Sequence, residues 1–363
     1  MDVSREYHVS LLRSPNEFAA LSRDWSGLYE VAPARFPFSS YDWAQAWRSH
    51  LCPPSELFVL AVRSGTRLTG ILPLRMEKKG GFRVLRFLTD GRADYLGPLL
   101  APGHDEAAQV LLESLCQYSA EWDLAILRNW NESAFGLSTL TIPAHVVSLD
   151  TEVSLAPYLS FAGSWNELVS SGPSGLRRAK RRLSKFERAG GSIERHTGTG
   201  LVSYAHDLQY VESRSWKAGT RAARFQTAQE YEMLEALLDS DSLQQEIDVW
   251  IARLEGLPVA YLLNFTRSDR TCYYQGAYDQ NFAAYSPGTI LHYRAIERTW
   301  HQGGREYDFM MGDEAWKTQW TNGVHILRHL VLFPKTLKGF LAYLTLAAPR
   351  IYARRLRRAI QTS

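Results

Sequence analysis

The segment Tyr285-Ser286-Pro287-Gly288-Thr289 follows an aromatic strand, Thr271 to Asp279, and opens a helix that runs to about Gln302. Its residue types suit the holding of a phosphate. Ser286 is a favoured N-cap, Pro287 has its φ preset for the first helical position and gives up no needed donor, and Gly288 keeps the backbone bare. These residues predict a row of free N–H groups at a positive helix end, with Tyr285, Ser286, Gly288 and Thr289 around the anion. They also serve an ordinary strand-to-helix connection. Downstream, Gly303-Gly304 leads into a short strand, Tyr307 to Met311, and then into Gly312-Asp313-Glu314-Ala315-Trp316-Lys317. Alternation in that strand sets Asp308 opposite Tyr307 and Phe309, and desolvation of a carboxylate among aromatics raises its pKa toward that of a usable base. A helix-capping or salt-bridged structural acid is the other role for Asp308. Asp313 stands four residues before Lys317, a spacing that either orients the lysine or makes a plain ion pair on a solvated helix.

The elements that must position these groups come in two similar runs. In the first half, Tyr7 to Leu12 reads as a strand, Pro15 to Glu30 and Tyr41 to Leu51 as helices, and Leu57 to Val62, Leu68 to Met76 and Phe82 to Leu88 as an antiparallel meander with glycine turns. Asp105 to Ala120 has helical spacing, and Asp123 to Leu127 reads as a buried strand. After a connector at Pro157-Tyr158-Leu159, helices are expected over Trp165 to Ser170, Ser174 to Arg188, Leu201 to Ala218 and Thr227 to Leu238. Strands then come at Ile247 to Arg253, Val259 to Phe265 and Thr271 to Tyr278. A duplicated fold is the expectation.

With 363 residues, 45% of them hydrophobic, the chain is long enough for two domains. A net charge of +3 is too mild to argue for nucleic acid by itself. The cysteines at 52, 116 and 272 have neither metal-ligand nor redox spacing, and no run reaches the roughly 18 apolar residues of a membrane span. The start lacks the apolar core of a secretory signal, so cytoplasm is the default expectation. The ten histidines form no spaced cluster, and His292, His301, His325 and His329 read as surface or core residues rather than ligands.

Four groups of residues stand in order: Ser215-Trp216-Lys217; Tyr278-Asp279 with Tyr285-Ser286-Pro287-Gly288; Asp308-Phe309 with Gly312-Asp313; and Trp316-Lys317. With Gly70 to Leu74 and Asp94 to Leu99 in the first half, the set resembles the GNAT superfamily of acyltransferases. Within it the chain looks like the CelD-like subgroup that accompanies cellulose and exopolysaccharide synthesis, itself similar to the Fem-type aminoacyl ligases. The resemblance implies an α+β fold of tandem GNAT-like domains, each a mixed, largely antiparallel sheet flanked by helices. Residues 1–150 would be a degenerate copy, 151–335 the acyltransfer domain and 336–363 a basic amphipathic tail.

The implied reaction moves an acyl group from acyl-CoA, acetyl-CoA in the simplest case, to the amine of a sugar, amino acid or similar small acceptor, with no metal. Such a reaction needs a base, a donor for the developing oxyanion and close positioning of both reactants. Asp308 is the candidate base, Lys317 stands near the carbonyl or a donor phosphate, Asp313 orients it, and Tyr278 or Tyr285 protonates the leaving group. Trp216 and Lys217 are assigned to the acceptor, although Lys217 could simply complement a helix C-terminus. The GNAT loop that wraps the CoA pyrophosphate is reduced here to Gly288, which leaves an acyl carrier protein or an aminoacyl-tRNA as alternative carriers. A Fem-like ligase and a non-catalytic component of a polysaccharide-synthesis complex are the competing functions.

Two basic tracts remain. Between Gly175 and Gly190 a helix would set Arg177, Arg181 and Arg188 on one side and Leu176, Ala179, Leu183 and Phe186 on the other, suited either to solvent or to a phosphate-bearing substrate. The stretch Lys335 to Arg358 has no acid and could close the fold, dock a partner or lie peripherally on an anionic inner membrane surface.

Overall fold

The computed structural model describes residues 6–131, 139–220, 222–267, 269–349 and 351–352. They fall into two units, one drawn from Met1–Arg48, Cys52–Ser154 and Ile326–Ser363, the other from Ser49–Leu51 and Leu155–His325. The first half of the chain supplies strands β1 (His8–Leu12), β2 (Glu56–Ser64), β3 (Arg67–Lys79), β4 (Phe82–Phe87), β5 (Leu99–Leu100) and β6 (Leu124–Asn131). Its helices are α1 (Pro15–Ala20), α2 (Ser22–Val31), α3 (Tyr41–His50) and α4 (Glu106–Gln117). Then come β7 (Val146–Ser160), α5 (Trp165–Ser171), α6 (Ser174–Arg188), β8 (Ser192–Thr197), α7 (Ala205–Arg214), α8 (Ala228–Leu238), β9 (Ile247–Leu254), β10 (Leu257–Arg267), β11 (Arg270–Tyr278), α9 (Pro287–His301) and β12 (Glu306–Asp308). The chain finishes with β13 (Gly323–Pro334) and α10 (Leu337–Ala342), which runs on as a π-helical turn, Tyr343–Ala347.

Both units follow one pairing scheme. In the first, β1 to β4 pair antiparallel in sequence order, β4 pairs parallel with β6, and β6 pairs antiparallel with β13. In the second, β8 to β11 pair antiparallel, β11 pairs parallel with β12, and β12 pairs antiparallel with β7. The fold is therefore mixed α/β with a mostly antiparallel sheet flanked by helices. The expected connector Pro157-Tyr158-Leu159 lies inside β7, where Tyr158 registers with Asp308. Strands β7, β8 and β13 are absent from the sequence expectation: β8 is nearly all polar, and β7 and β13 take partners remote in the chain that no neighbouring hairpin announces.

In the second unit, α9 buries Ile290, Leu291, Tyr293, Ala295 and Ile296 against the sheet, and α6 buries Leu176, Ala179, Leu183 and Phe186 beside it. The opposite face of α6 keeps its cations in water, as helical spacing requires.

The two parallel pairs differ in how the chain continues beyond them. In the first unit Leu96 bridges to Trp130 beside β6, its N–H bonded to Asn129 at 2.9 Å, while Tyr95 packs on Phe36. In the second unit β11 and β12 pair only from Arg270 to Cys272, and β11 continues to Tyr278 along β10. Phe186 is fully buried in the core that supports this parting. Phe186→Ala should lower the unfolding free energy by about 3–5 kcal/mol, read from denaturant unfolding; a loss below about 1 kcal/mol would mean that α6 is not packed as described.

Candidate active site

After Asp308 the chain turns out of line with β11. Asp308 Oδ1 accepts the N–H of Met310 at 2.7 Å, and Met310 takes a positive φ of 57°. An acid bonded to the backbone two residues on is what lets the turn form. The parting strands expose carbonyls that need donors, and two lysines supply them. Lys317, 4% exposed, donates from Nζ to Met311 O at 2.7 Å, with Met310 O at 3.4 Å, and pairs with Glu314 at 3.1 Å. Lys217 donates from Nζ to Gly276 O at 2.7 Å. A side chain at Gly276 would put its Cβ 2.5 Å from Leu262 and 2.9 Å from Tyr261 O, so the strand can lie here only with glycine.

Local chemistry at the end of α7 aims Lys217. Ser215 Oγ donates to Glu212 O at 2.9 Å and accepts the Lys217 N–H at 3.2 Å, forming a turn that sends Lys217 inward and leaves Trp216 57% exposed. The turn is tied down by Glu212, which is fully buried and accepts from Tyr261 OH at 2.7 Å, Gln275 Nε2 at 3.0 Å and Arg224 N–H at 2.8 Å. Burial raises the Glu212 pKa, opposed by these bonds and by Lys217. Burial lowers that of Lys217, opposed by Glu212. Lys217 is part-exposed as a residue, and its ammonium is held on the Gly276 carbonyl.

His292 of α9 belongs to the same cluster. It shares a hydrogen bond with Tyr307 OH at 3.2 Å and lies among the rings of Tyr273, Phe309, Trp316 and Trp320. Burial, with Lys317 and Lys217 nearby, pushes its pKa down to about 3, so the ring is neutral at ordinary pH. Its place in the cluster is invisible in the sequence, because histidine in an apolar helix face carries no signal of its partners.

The mouth of α9 differs from expectation. Ser286 has φ 53° and ψ 50° and does not cap with its side chain; its hydroxyl instead accepts from Arg182 of α6. The expected row of free N–H groups shrinks. Ser286 N–H donates to Ala283 O, Pro287 has none, and Thr289 and Ile290 both donate to Ser286 O, which leaves Gly288 as the donor of this turn. Tyr278 stands beside it, its ring 3.5 Å from where a Gly288 Cβ would be. Lys185 donates to Ala284 O at 3.3 Å and lies 5.4 Å over the Tyr285 ring. Arg182 and Lys185, not Arg177 and Arg181, are thus the α6 cations at the mouth. Arg177 bonds Ser170 O and Gly172 O, and Arg181 is exposed.

Asp313 is exposed, and the ion-pair partner of Lys317 is Glu314; the segment is a single 3₁₀ turn, so the i,i+4 geometry of a helix is never made. Asp308 sits on the other side of β12 from Tyr307, near Glu306 and His325, whose ligand-type atoms come within 4.8 Å of one another and of its own. Glu306 Oε1 is shared there by His325 at 3.0 Å and Arg270 at 3.1 Å, which makes the group an ion-paired network. A cavity of about 300 Å³ elsewhere in the unit, lined by Arg195, Glu246, Asp248, Thr266 and Gln302, includes none of these residues. Among the described residues no helix is long and apolar enough to cross a membrane.

Residues 173–318, which include Lys217, His292 and Lys317, match the family described as acetyltransferase (GNAT) domain. No curated protein matches the chain. Among solved structures it is similar to FemX at 13% identity and TM-score 0.62, over 89% of this chain and 98% of that one. It is also similar to a C-terminal DUF2156 domain from Agrobacterium fabrum (11%, TM-score 0.56, 89% and 94%) and to L-PGS from Bacillus licheniformis (12%, TM-score 0.55, 92% and 96%). At such identities the structural likeness speaks for the fold. The domain match makes the chain an acyltransferase.

The buried neutral His292 has a consequence for stability. Its folded pKa lies below the unfolded value of 6.5, so the unfolded chain takes up a proton that the folded one refuses as pH falls from 6.5 toward 3. Stability is full above that window and falls within it, by about 2 kcal/mol at pH 5 for this group. Urea unfolding at pH 7 and pH 5 should show His292→Gln losing about 2 kcal/mol less than wild type between the two; equal losses would mean the ring is not buried neutral.

Proposed function

We propose that the second unit transfers an acyl group from a phosphate-bearing carrier, acyl-CoA in the first instance, to the amine of a small acceptor such as an amino sugar or amino acid. The observation that carries the reading is the Lys217 ammonium at the parting of β11 from the chain after β12. Of its three N–H donors one is fixed on Gly276 O, so the group is oriented with donors to spare. Lys317 is differently placed. Its donors face Met310 O, Met311 O and Glu314, so it holds the 310–317 turn and adds positive potential.

In the reaction, the amine nitrogen attacks the carrier's carbonyl carbon, the new C–N bond forms, and the carbonyl oxygen gains negative charge. The oriented Lys217 ammonium stabilises that charge without having to reorganise. The C–S bond then breaks, and the proton lost by the amine ends on the departing thiolate. Arg182 and Lys185 at the mouth of α9, with the Gly288 N–H, supply positive charge for the carrier's phosphate. Tyr273, Trp316 and Trp320 gather around His292 and bring aromatic surface to this side of the site.

A second reading, aminoacyl transfer from a tRNA, is favoured by one feature. A single free N–H at the helix mouth is little for a pyrophosphate, whereas the exposed cations of α6, Arg181 and Arg188 among them, suit a larger polyanion. The first measurement is calorimetry with acetyl-CoA, then CoA release in the presence of a panel of amino sugars and amino acids. Lys217→Ala should cost about 10²–10³-fold in kcat with acetyl-CoA affinity nearly unchanged, and Arg182→Ala should instead weaken binding roughly ten-fold. If acetyl-CoA gives no heat and aminoacyl transfer proves sensitive to ribonuclease, the CoA reading fails and the tRNA reading takes its place. A Lys217→Ala enzyme of full activity would remove the oxyanion role under either.

A further inference from the structure

The helix that closes the first unit is apolar on two faces. One face packs: Ala342 and Ala347, with Tyr343 and Leu346, lie on the cluster of Val84, Leu124, Val331 and Phe333, and the Tyr343 ring stacks on Phe333 at 5.0 Å. The other face is bare. Leu337, Phe340, Leu341 and Leu344 are 77%, 48%, 43% and 44% exposed, at spacings of three and four that bring them onto one stripe. A helix of a water-soluble surface normally carries polar residues there, and such a contiguous apolar stripe marks an interaction site.

The charge around the stripe points to its partner. From Lys335 to Ser363 the sequence has no acid and seven cations: Lys335, Lys338, Arg350, Arg354, Arg355, Arg357 and Arg358. Lys335 is exposed; Lys338 is half-spent on Asp123, at 3.1 Å. The β3–β4 turn adds exposed Lys78 and Lys79, and it abuts the helix, since a Cβ on Gly80 would lie 3.9 Å from Leu346. We propose that the stripe Leu337, Phe340, Leu341 and Leu344 seats in the surface of an anionic lipid bilayer, with Lys335, Lys78 and Lys79 meeting the headgroups.

Other occupants fit less well. A second copy would bring the same acid-free cations against themselves, which like-charge repulsion opposes. The segment 353–363 offers only Leu356 and Ile360 as large apolar residues beside four arginines, too little to cover four apolar side chains. A bilayer surface satisfies both requirements at once: the acyl region takes the stripe, and the negative leaflet attracts the basic rim. The inference concerns the first unit and stands whichever carrier the second unit uses.

The test is flotation of the full-length protein with vesicles of phosphatidylcholine alone and of phosphatidylcholine with about one-third phosphatidylglycerol. The protein should float with the anionic vesicles and not with the neutral ones, and raised salt should weaken the binding several-fold. Phe340→Glu with Leu344→Glu should reduce it more than about ten-fold, and Lys335→Glu should reduce it less, with circular dichroism and the melting temperature unchanged for both. Failure to float with anionic vesicles, or full binding by the double variant, would overturn the proposal. So would a wild-type dimer in sedimentation velocity that the double variant dissociates, since the stripe would then belong to a second copy.

Discussion

The second unit depends on one constraint: two parallel strands separate after three paired residues, and the backbone groups left at the parting must still find partners. A buried carbonyl without a donor is costly. The chain meets this with lysine ammoniums at Gly276 O and at Met310 and Met311 O, and this choice determines the chemistry of the site. A neutral donor would satisfy the same carbonyls but would bring no positive field. The glycine at 276, the Ser215 turn and the Glu212 anchor all serve to bring Lys217 to this place.

Burying cationic groups inside a folded chain has an electrostatic cost, chiefly the loss of water around them, and it is visible here. The Lys217 pKa falls and His292 is held neutral, so the cluster carries no third positive charge. Glu212 lies close enough to favour the charged lysine, yet its oxygens are occupied by Tyr261, Gln275 and the Arg224 N–H. The result is an ammonium that is stabilised but not neutralised by a direct partner, as the oxyanion role proposed for it requires.

The two units share a strand-pairing scheme but treat the parting differently. In the first, Leu96 adds to the β6 edge beside Trp130, and Tyr95 fills the space with an aromatic ring. In the second, the corresponding region is lined by Lys217, His292 and Lys317. One scheme thus yields a packed core in one case and a charged cluster in the other. The apolar surface of the closing helix is a separate property of the first unit, set by residues that the core does not use.

Much of the second unit is legible in the chain itself. The alternation of β9 to β11, the 3.6-residue spacing of α6 and α9, and the Ser-Trp-Lys, Ser-Pro-Gly and Trp-Lys motifs are local patterns, and local patterns are what sequence records. Sequence also points to acyl transfer through the order of its motifs, and the domain match agrees. It does not reveal that Ser286 faces Arg182, that Glu314 replaces Asp313 beside Lys317, or that Asp308 caps a turn. Nor does it show His292 within electrostatic reach of two lysines, or strands β7 and β13 pairing with partners far away in the chain. Those relations join residues that are mostly far apart in the chain, and the energy that selects them is burial and electrostatics in three dimensions. Residue type and spacing determined which groups the protein had to use; only tertiary packing decided which of them meet.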